Sequence, residues 1–118
     1  MDSKTTVDNL KNKVKEFSED RDWDKFHNPK DLAIGIITES SELLEHFRFK
    51  SNEESEIIIK TKKGEISEEL SDIFYFVLRL AQKYDIDLSE ELNKKLQKNS
   101  EKYPIEKSKG INKKYNEL

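Results

Sequence analysis

The sequence predicts an all-α fold, a four-helix bundle built into an oligomer. Apolar residues recur at i, i+3 and i+4 in four separate segments. Helix start and stop residues bound them, with Asn28-Pro29 opening one segment and Pro104 closing another. No alternating apolar and polar pattern runs for more than a few residues, so a sheet has no source. Short polar connections suit neighbouring helices in a bundle.

Over residues 6–21, Val7, Leu10, Val14 and Phe17 form a narrow apolar stripe with Lys and Glu opposite, which predicts an outer helix. The stretch Asp22-Trp23-Asp24-Lys25-Phe26-His27 then places the single tryptophan in a short connection. Asn28 as N-cap and Pro29 at the first helical position start a helix over residues 29–49. Gly35 within it costs about 1 kcal/mol against alanine and marks a close approach, either of another helix or of a ligand. Ser51-Asn52-Glu53-Glu54 caps a short helix through Ile57, Ile58 and Ile59, and residues 60–64 read as a basic junction. The helix over 66–84 has the widest apolar arc; the last main helix, 89–102, follows the stripe Leu88, Leu92, Leu96. Beyond Pro104, residues 105–118 form a lysine-rich tail with Gly110, a composition that reads as frayed or disordered.

A length of 118 residues fits a single domain, 1–118, with little core to spare. Only 33% of residues are hydrophobic, so the wide apolar arc over 66–84 predicts a face covered by another copy of the chain. The net charge of -3 argues against general nucleic-acid binding, and the 22 Lys and Arg predict local anion contacts instead. The absence of cysteine excludes disulfides, thiolate zinc sites and a cysteine nucleophile. With no apolar run of membrane-spanning length and no signal-like N-terminus, the expected location is the cytoplasm, with no membrane partner.

Two acidic pairs stand out: Glu39-Ser40-Ser41-Glu42 and Glu69-Leu70-Ser71-Asp72. Each spaces two carboxylates three residues apart on a predicted helix, so each pair shares a face. At about 100° per residue, Glu39 falls about 20° from Leu32 and about 40° from Leu43, at the margin of an arc of Leu32, Ala33, Ile36, Ile37, Leu43, Leu44 and Phe47. Glu42 lies further out, beside His46. Glu69 falls between Phe76 and Leu80, inside its helix's arc, and Asp72 at the edge. Four ionised carboxylates turned inward repel one another and resist burial, and a divalent cation removes both difficulties. All-oxygen ligation favours a hard ion, Mg²⁺ above all, which keeps waters and takes substrate phosphates. In a chain with 40% charged residues the other reading is four solvated acids.

A polyphosphate on such a metal needs cations and donors on its far side. Asn99, Lys102, Tyr103, Lys109, Lys113, Lys114 and Tyr115 are the candidates, against the alternative of a solvated lysine-rich end. Trp23 or Phe49 offers a ring to stack on a base, worth about 1–3 kcal/mol, or else belongs to the core. Glu42 and His46, four apart, allow a metal site that includes His46. Neither histidine follows a glutamate by three, which disfavours a ferritin-like di-iron oxidase.

Glu39-x-x-Glu42 and Glu69-x-x-Asp72 in a small all-α chain resemble the MazG-like nucleoside triphosphate pyrophosphohydrolases. Four further features resemble the dCTP pyrophosphatase branch of that family: Arg21-Asp22-Trp23-Asp24-x-Phe26-His27-x-Pro29, the run Leu43-x-Glu45-x-Phe47, Glu68-Glu69-Leu70-Ser71-Asp72, and the ending Lys102-Tyr103-Pro104 with Ser108-Lys109-Gly110 and Lys114-Tyr115. The likeness spans nearly the whole chain. The four-acid motif alone is shared with dimeric dUTPases and phosphoribosyl-ATP pyrophosphohydrolases.

The resemblance implies Mg²⁺ ligation by Glu39, Glu42, Glu69 and Asp72; Glu39 or Glu42, each able to combine a metal contact with a free carboxylate oxygen, is the expected water-orienting base. The resemblance also implies a nucleobase pocket to which Trp23 and Phe49 contribute, and His27 and Phe76 are further substrate-binding candidates. On the phosphate side it implies Asn99, Lys102, Tyr103, Lys109, Lys114 and Tyr115. A homotetramer of four-helix subunits, a dimer of dimers, and a role in cleaning the nucleotide pool belong to the same expectation. Close relatives often carry Trp at the position of Phe49 and Tyr at that of Phe76, a departure that touches the preference for cytosine. Two other classes compete: a nucleotide sensor that has lost chemistry, which the intact set of acids opposes, and a helical interaction module, which would not respond to Mg²⁺ with nucleotide.

Overall fold

A computed structural model describes all 118 residues, and every regular element in it is helical. Six α-helices follow one another: α1 (Val7–Asp20), α2 (Pro29–Glu45), α3 (Asn52–Thr61), α4 (Lys63–Lys83), α5 (Leu88–Lys102) and α6 (Ile105–Ser108). Two 3₁₀ turns, Asp24–Phe26 and Tyr115–Glu117, complete the list. The chain falls into two units, Met1–Asp85 and Ile86–Leu118.

In the first unit the helix starts are written in side chains. Thr6 accepts from the Asn9 amide and Asn9 answers, closing a capping box on α1. Asn28 caps α2 through the Asp31 amide with Pro29 in the first turn, and Ser51 with Glu54 boxes α3. The most extensive packing is α2 on α4, followed by α1 on α4, so α4 is the axis of this unit. Its core holds Leu32, Ile66, Leu78 and Ala81, together with Ser18, His27 and Arg79. Gly35 lies at the crossing of α2 and α4: a Cβ there would stand 2.6 Å from the Phe76 ring. The close approach that glycine marks is therefore that of a neighbouring helix's side chain.

Three expectations for the first unit need correction. Helix α2 ends at Glu45 rather than near residue 49, because its last turn tightens into i→i−3 bonds (His46 N to Leu43 O, Phe47 N to Leu44 O) and Phe49 then turns left-handed with φ 64. The basic junction of residues 60–64 shrinks to Lys62, which ends α3 and begins α4. Ile37 and Leu44, counted in the inward arc of α2, are exposed.

In the second unit Asp87 caps α5 through the Glu90 amide. The tail departs from its frayed reading: α6 and the 3₁₀ turn occupy it, Tyr115 meets Tyr103 edge to face at 6.1 Å, and the Lys102 ammonium lies 4.8 Å over the Tyr115 ring. No helix is long and apolar enough to cross a membrane.

Candidate functional site

Because α2 packs on α4, the two acidic pairs face one another across the main helix contact of the first unit. One carboxylate oxygen from each of Glu39, Glu42, Glu69 and Asp72 lies within 4.8 Å of all the others. Glu39 and Glu69 are half-buried, Glu42 and Asp72 exposed. The chemistry follows from that placement. Desolvation raises the pKa of Glu39 above its ordinary value, and hydrogen bonding with Glu42 and the charges of Glu42, Asp72 and Glu69 push it further. Glu69 is raised by the same causes, desolvation first and Glu42 next, with His46 pulling the other way. The Oε2 atom of Glu69 is buried with no hydrogen-bond partner.

Four crowded oxygens, an orphaned carboxylate oxygen and carboxyls held up in pKa are what a hard divalent cation would relieve. The donor set, all oxygen and no sulfur, fits Mg²⁺.

About two turns further along α4 lies a cluster the sequence reading missed. Arg79, 1% exposed, donates from Nε to His27 Nδ1 at 2.9 Å, from Nη2 to Asp24 Oδ1 at 2.6 Å and from Nη1 to Gln82 Oε1. Lys83 donates to the carbonyl oxygens of Asp24, at 2.8 Å, and His27. The Lys83 hydrogen bond and charge, then Arg79, hold the Asp24 carboxyl below its ordinary value. His27 is shifted down by burial and by the charges of Arg79 and Lys83. With Nδ1 accepting, the imidazole carries its proton on Nε2. The signal was present in the sequence as a lone cation inside the apolar run Val77-Leu78-Arg79-Leu80-Ala81.

The remaining candidates of the first unit are distributed as follows. Trp23 packs edge to face on Phe17 at 5.7 Å and lies 6.4 Å from His27, which is itself buried. Phe76 meets Tyr75 at 5.2 Å and Gly35 of α2. Tyr75 in turn bonds Ser18 at 2.6 Å; since Ser18 spends its proton on the Val14 carbonyl, the Tyr75 hydroxyl is the donor. Phe49 is not core: the residue is 90% exposed, with the Arg48 guanidinium 4.6 Å above its ring. In the second unit Lys102, Tyr103 and Tyr115 are brought together, Asn99 accepts the Tyr103 amide through its carbonyl, and Lys109 and Lys114 are exposed on either side of Gly110.

A helical chain presenting four acids across one helix crossing matches a known class. The sequence model of the MazG-like family covers residues 34–118, and the chain belongs to that family. Among curated proteins it is similar to dCTP pyrophosphatase 1 of Bos taurus, 32% identical over 118 residues, covering 98% of this chain and 70% of the bovine one. It is also similar to dCTP pyrophosphatase 1 of Homo sapiens, 30% identical over 115 residues, covering 96% of this chain and 68% of the human one. Among solved structures it matches a pyrophosphatase from Archaeoglobus fulgidus DSM 4304 with a TM-score of 0.80 and 36% identity, over 83% of this chain and 92% of that chain.

Proposed function

We propose that the chain hydrolyses a nucleoside triphosphate between its α and β phosphorus atoms, releasing nucleoside monophosphate and pyrophosphate, with Mg²⁺ held by Glu39, Glu42, Glu69 and Asp72. By class it is a nucleotide pyrophosphohydrolase, as its family and the pyrophosphatases it resembles over nearly its whole length indicate. A dCTP-like deoxynucleotide is the substrate that the relatives' names favour, and cleaning of the nucleotide pool is the role we assign. The observation that carries the reading is the convergence of the four carboxylates to within 4.8 Å, two of them with raised pKa.

The cation, when bound, offsets phosphate charge and polarises the anhydride. Glu39 or Glu42 orients the attacking water and takes up its proton, while Glu69 and Asp72 are kept to metal binding. The water oxygen adds to phosphorus as the α–β bridge opens, and pyrophosphate leaves without a covalent enzyme intermediate. Trp23, His27, Phe49 and Phe76 are assigned to the base side. To Asn99, Lys102, Tyr103, Lys109, Lys114 and Tyr115 we assign phosphate contacts. The apolar side chains left exposed on α2 and α4 support assembly of the 118-residue chain, with its six helices rather than the four expected, into a homo-oligomer, a dimer of dimers.

A deoxynucleotide panel with Mg²⁺ tests this. Monophosphate and pyrophosphate should appear together, and Glu42→Gln should lower kcat/KM by at least about 100-fold with unchanged circular dichroism. Orthophosphate as first product, or tight triphosphate binding without turnover, would overturn the reading.

A further inference from the structure

His46 follows α2 directly, one turn beyond Glu42, with its ring 6.4 Å from Phe47 and only 14% of its side chain exposed. Its Nε2 reaches across to α4, 3.8 Å from Oε1 of Glu69. The other oxygen of Glu69, Oε2, is buried and unpartnered. The two oxygens of one carboxylate thus face different surroundings, one beside an imidazole nitrogen and the other buried among ionised carboxylates without a donor.

We propose that His46 is a positioning residue for the metal-binding carboxylate of Glu69: its Nε2–H takes Oε1 and thereby leaves Oε2 to the cation. This rests on the four-acid reading of the site. The 3.8 Å separation exceeds a hydrogen bond by less than about 1 Å, and the terminal torsion of a glutamate is soft enough to close it. His46 stands outside the ligand set itself, since the oxygens that lie within 4.8 Å of one another are those of Glu39, Glu42, Glu69 and Asp72 alone. A neutral imidazole with its proton on Nε2 suffices as donor, so no change of charge is involved. A carboxylate free to swing must be ordered by the ion that binds it, and one already held on its outer oxygen binds more tightly; such outer partners typically contribute about 10–100-fold in metal affinity.

The test measures Mn²⁺ binding to the full chain without nucleotide, by electron paramagnetic resonance, in the parent, His46→Leu and His46→Gln. The leucine variant should bind Mn²⁺ about tenfold more weakly. The glutamine variant, whose amide retains a donor, should recover most of that loss, and metal-free melting temperatures should stay together. Equal affinity in parent and His46→Leu would overturn the assignment, as would glutamine behaving like leucine. A nitrogen coupling in the Mn²⁺ spectrum would put imidazole on the ion itself and overturn the outer role. Parent protein that binds no Mn²⁺, or binds it unchanged after Glu69→Gln, would instead remove the four-acid site on which the proposal stands.

Discussion

Along α4 two charged clusters lie about two turns apart and are balanced in opposite ways. At Arg79 and Lys83 the cations meet what they need within the chain: the Asp24 carboxylate, the Gln82 and His27 side chains and two backbone carbonyls. Lys83 also sits in the last turn, where the helix dipole favours a cation. At Glu69 and Asp72 the neighbours are more carboxylates, and the nearest side chain of the other polarity is His46 at 3.8 Å. The first cluster is complete and pins the Trp23–His27 turn to α4. The second is left with surplus negative charge and an orphaned oxygen, the imbalance that the proposed cation would relieve.

Breaking the balanced cluster should have the larger effect. Arg79→Met removes the cation while leaving Asp24 and the acceptor of His27 without it, and should cost about 2–4 kcal/mol in a denaturant titration. Fluorescence of Trp23, the only tryptophan, should shift as its turn loosens. A loss below about 0.5 kcal/mol would mean that this cluster is as incomplete as the acidic one.

Relieving the unbalanced cluster should have a smaller effect of the opposite sign. The raised carboxyls of Glu39 and Glu69 favour the fold while protonated, and that contribution is lost as pH rises through their folded values. Asp24, with its lowered pKa, behaves the other way, stabilising above the ordinary carboxyl range and losing its effect as pH falls through its folded value. Without metal, Glu39→Gln should therefore raise the melting temperature by about 2–5 °C near about pH 7 and scarcely change it near about pH 4. Added Mg²⁺ should stabilise the parent more than the variant at neutral pH. A metal-free variant that melts lower than the parent at neutral pH would sink the claim that these acids repel.

The sequence made the unbalanced cluster legible because helix periodicity is local arithmetic. Counting about 100° per residue put Glu39 and Glu69 further inward than Glu42 and Asp72, and the structure has the first two half-buried and the others exposed. The balanced cluster escaped because Arg79 is joined to residues 52 and 55 positions earlier, a pairing that no period encodes. The same limit hid the contact of His46 with Glu69. Periodicity also names which side chains share a face without saying what covers it, and so Ile37 and Leu44 were counted inward yet are exposed. Composition misread the tail, where α6, a 3₁₀ turn and the contacts of Tyr115 with Tyr103 and Lys102 stand in place of a frayed end. Gly35 marked a close approach without naming the Phe76 ring that makes it.

The most direct measurement is a diffraction experiment on crystals soaked in Mn²⁺, with data collected where manganese scatters anomalously. The account predicts an anomalous peak bounded by carboxylate oxygens of Glu39, Glu42, Glu69 and Asp72, at about 2.0–2.2 Å from its ligands. A peak elsewhere on the chain, or none between these helices, would contradict it.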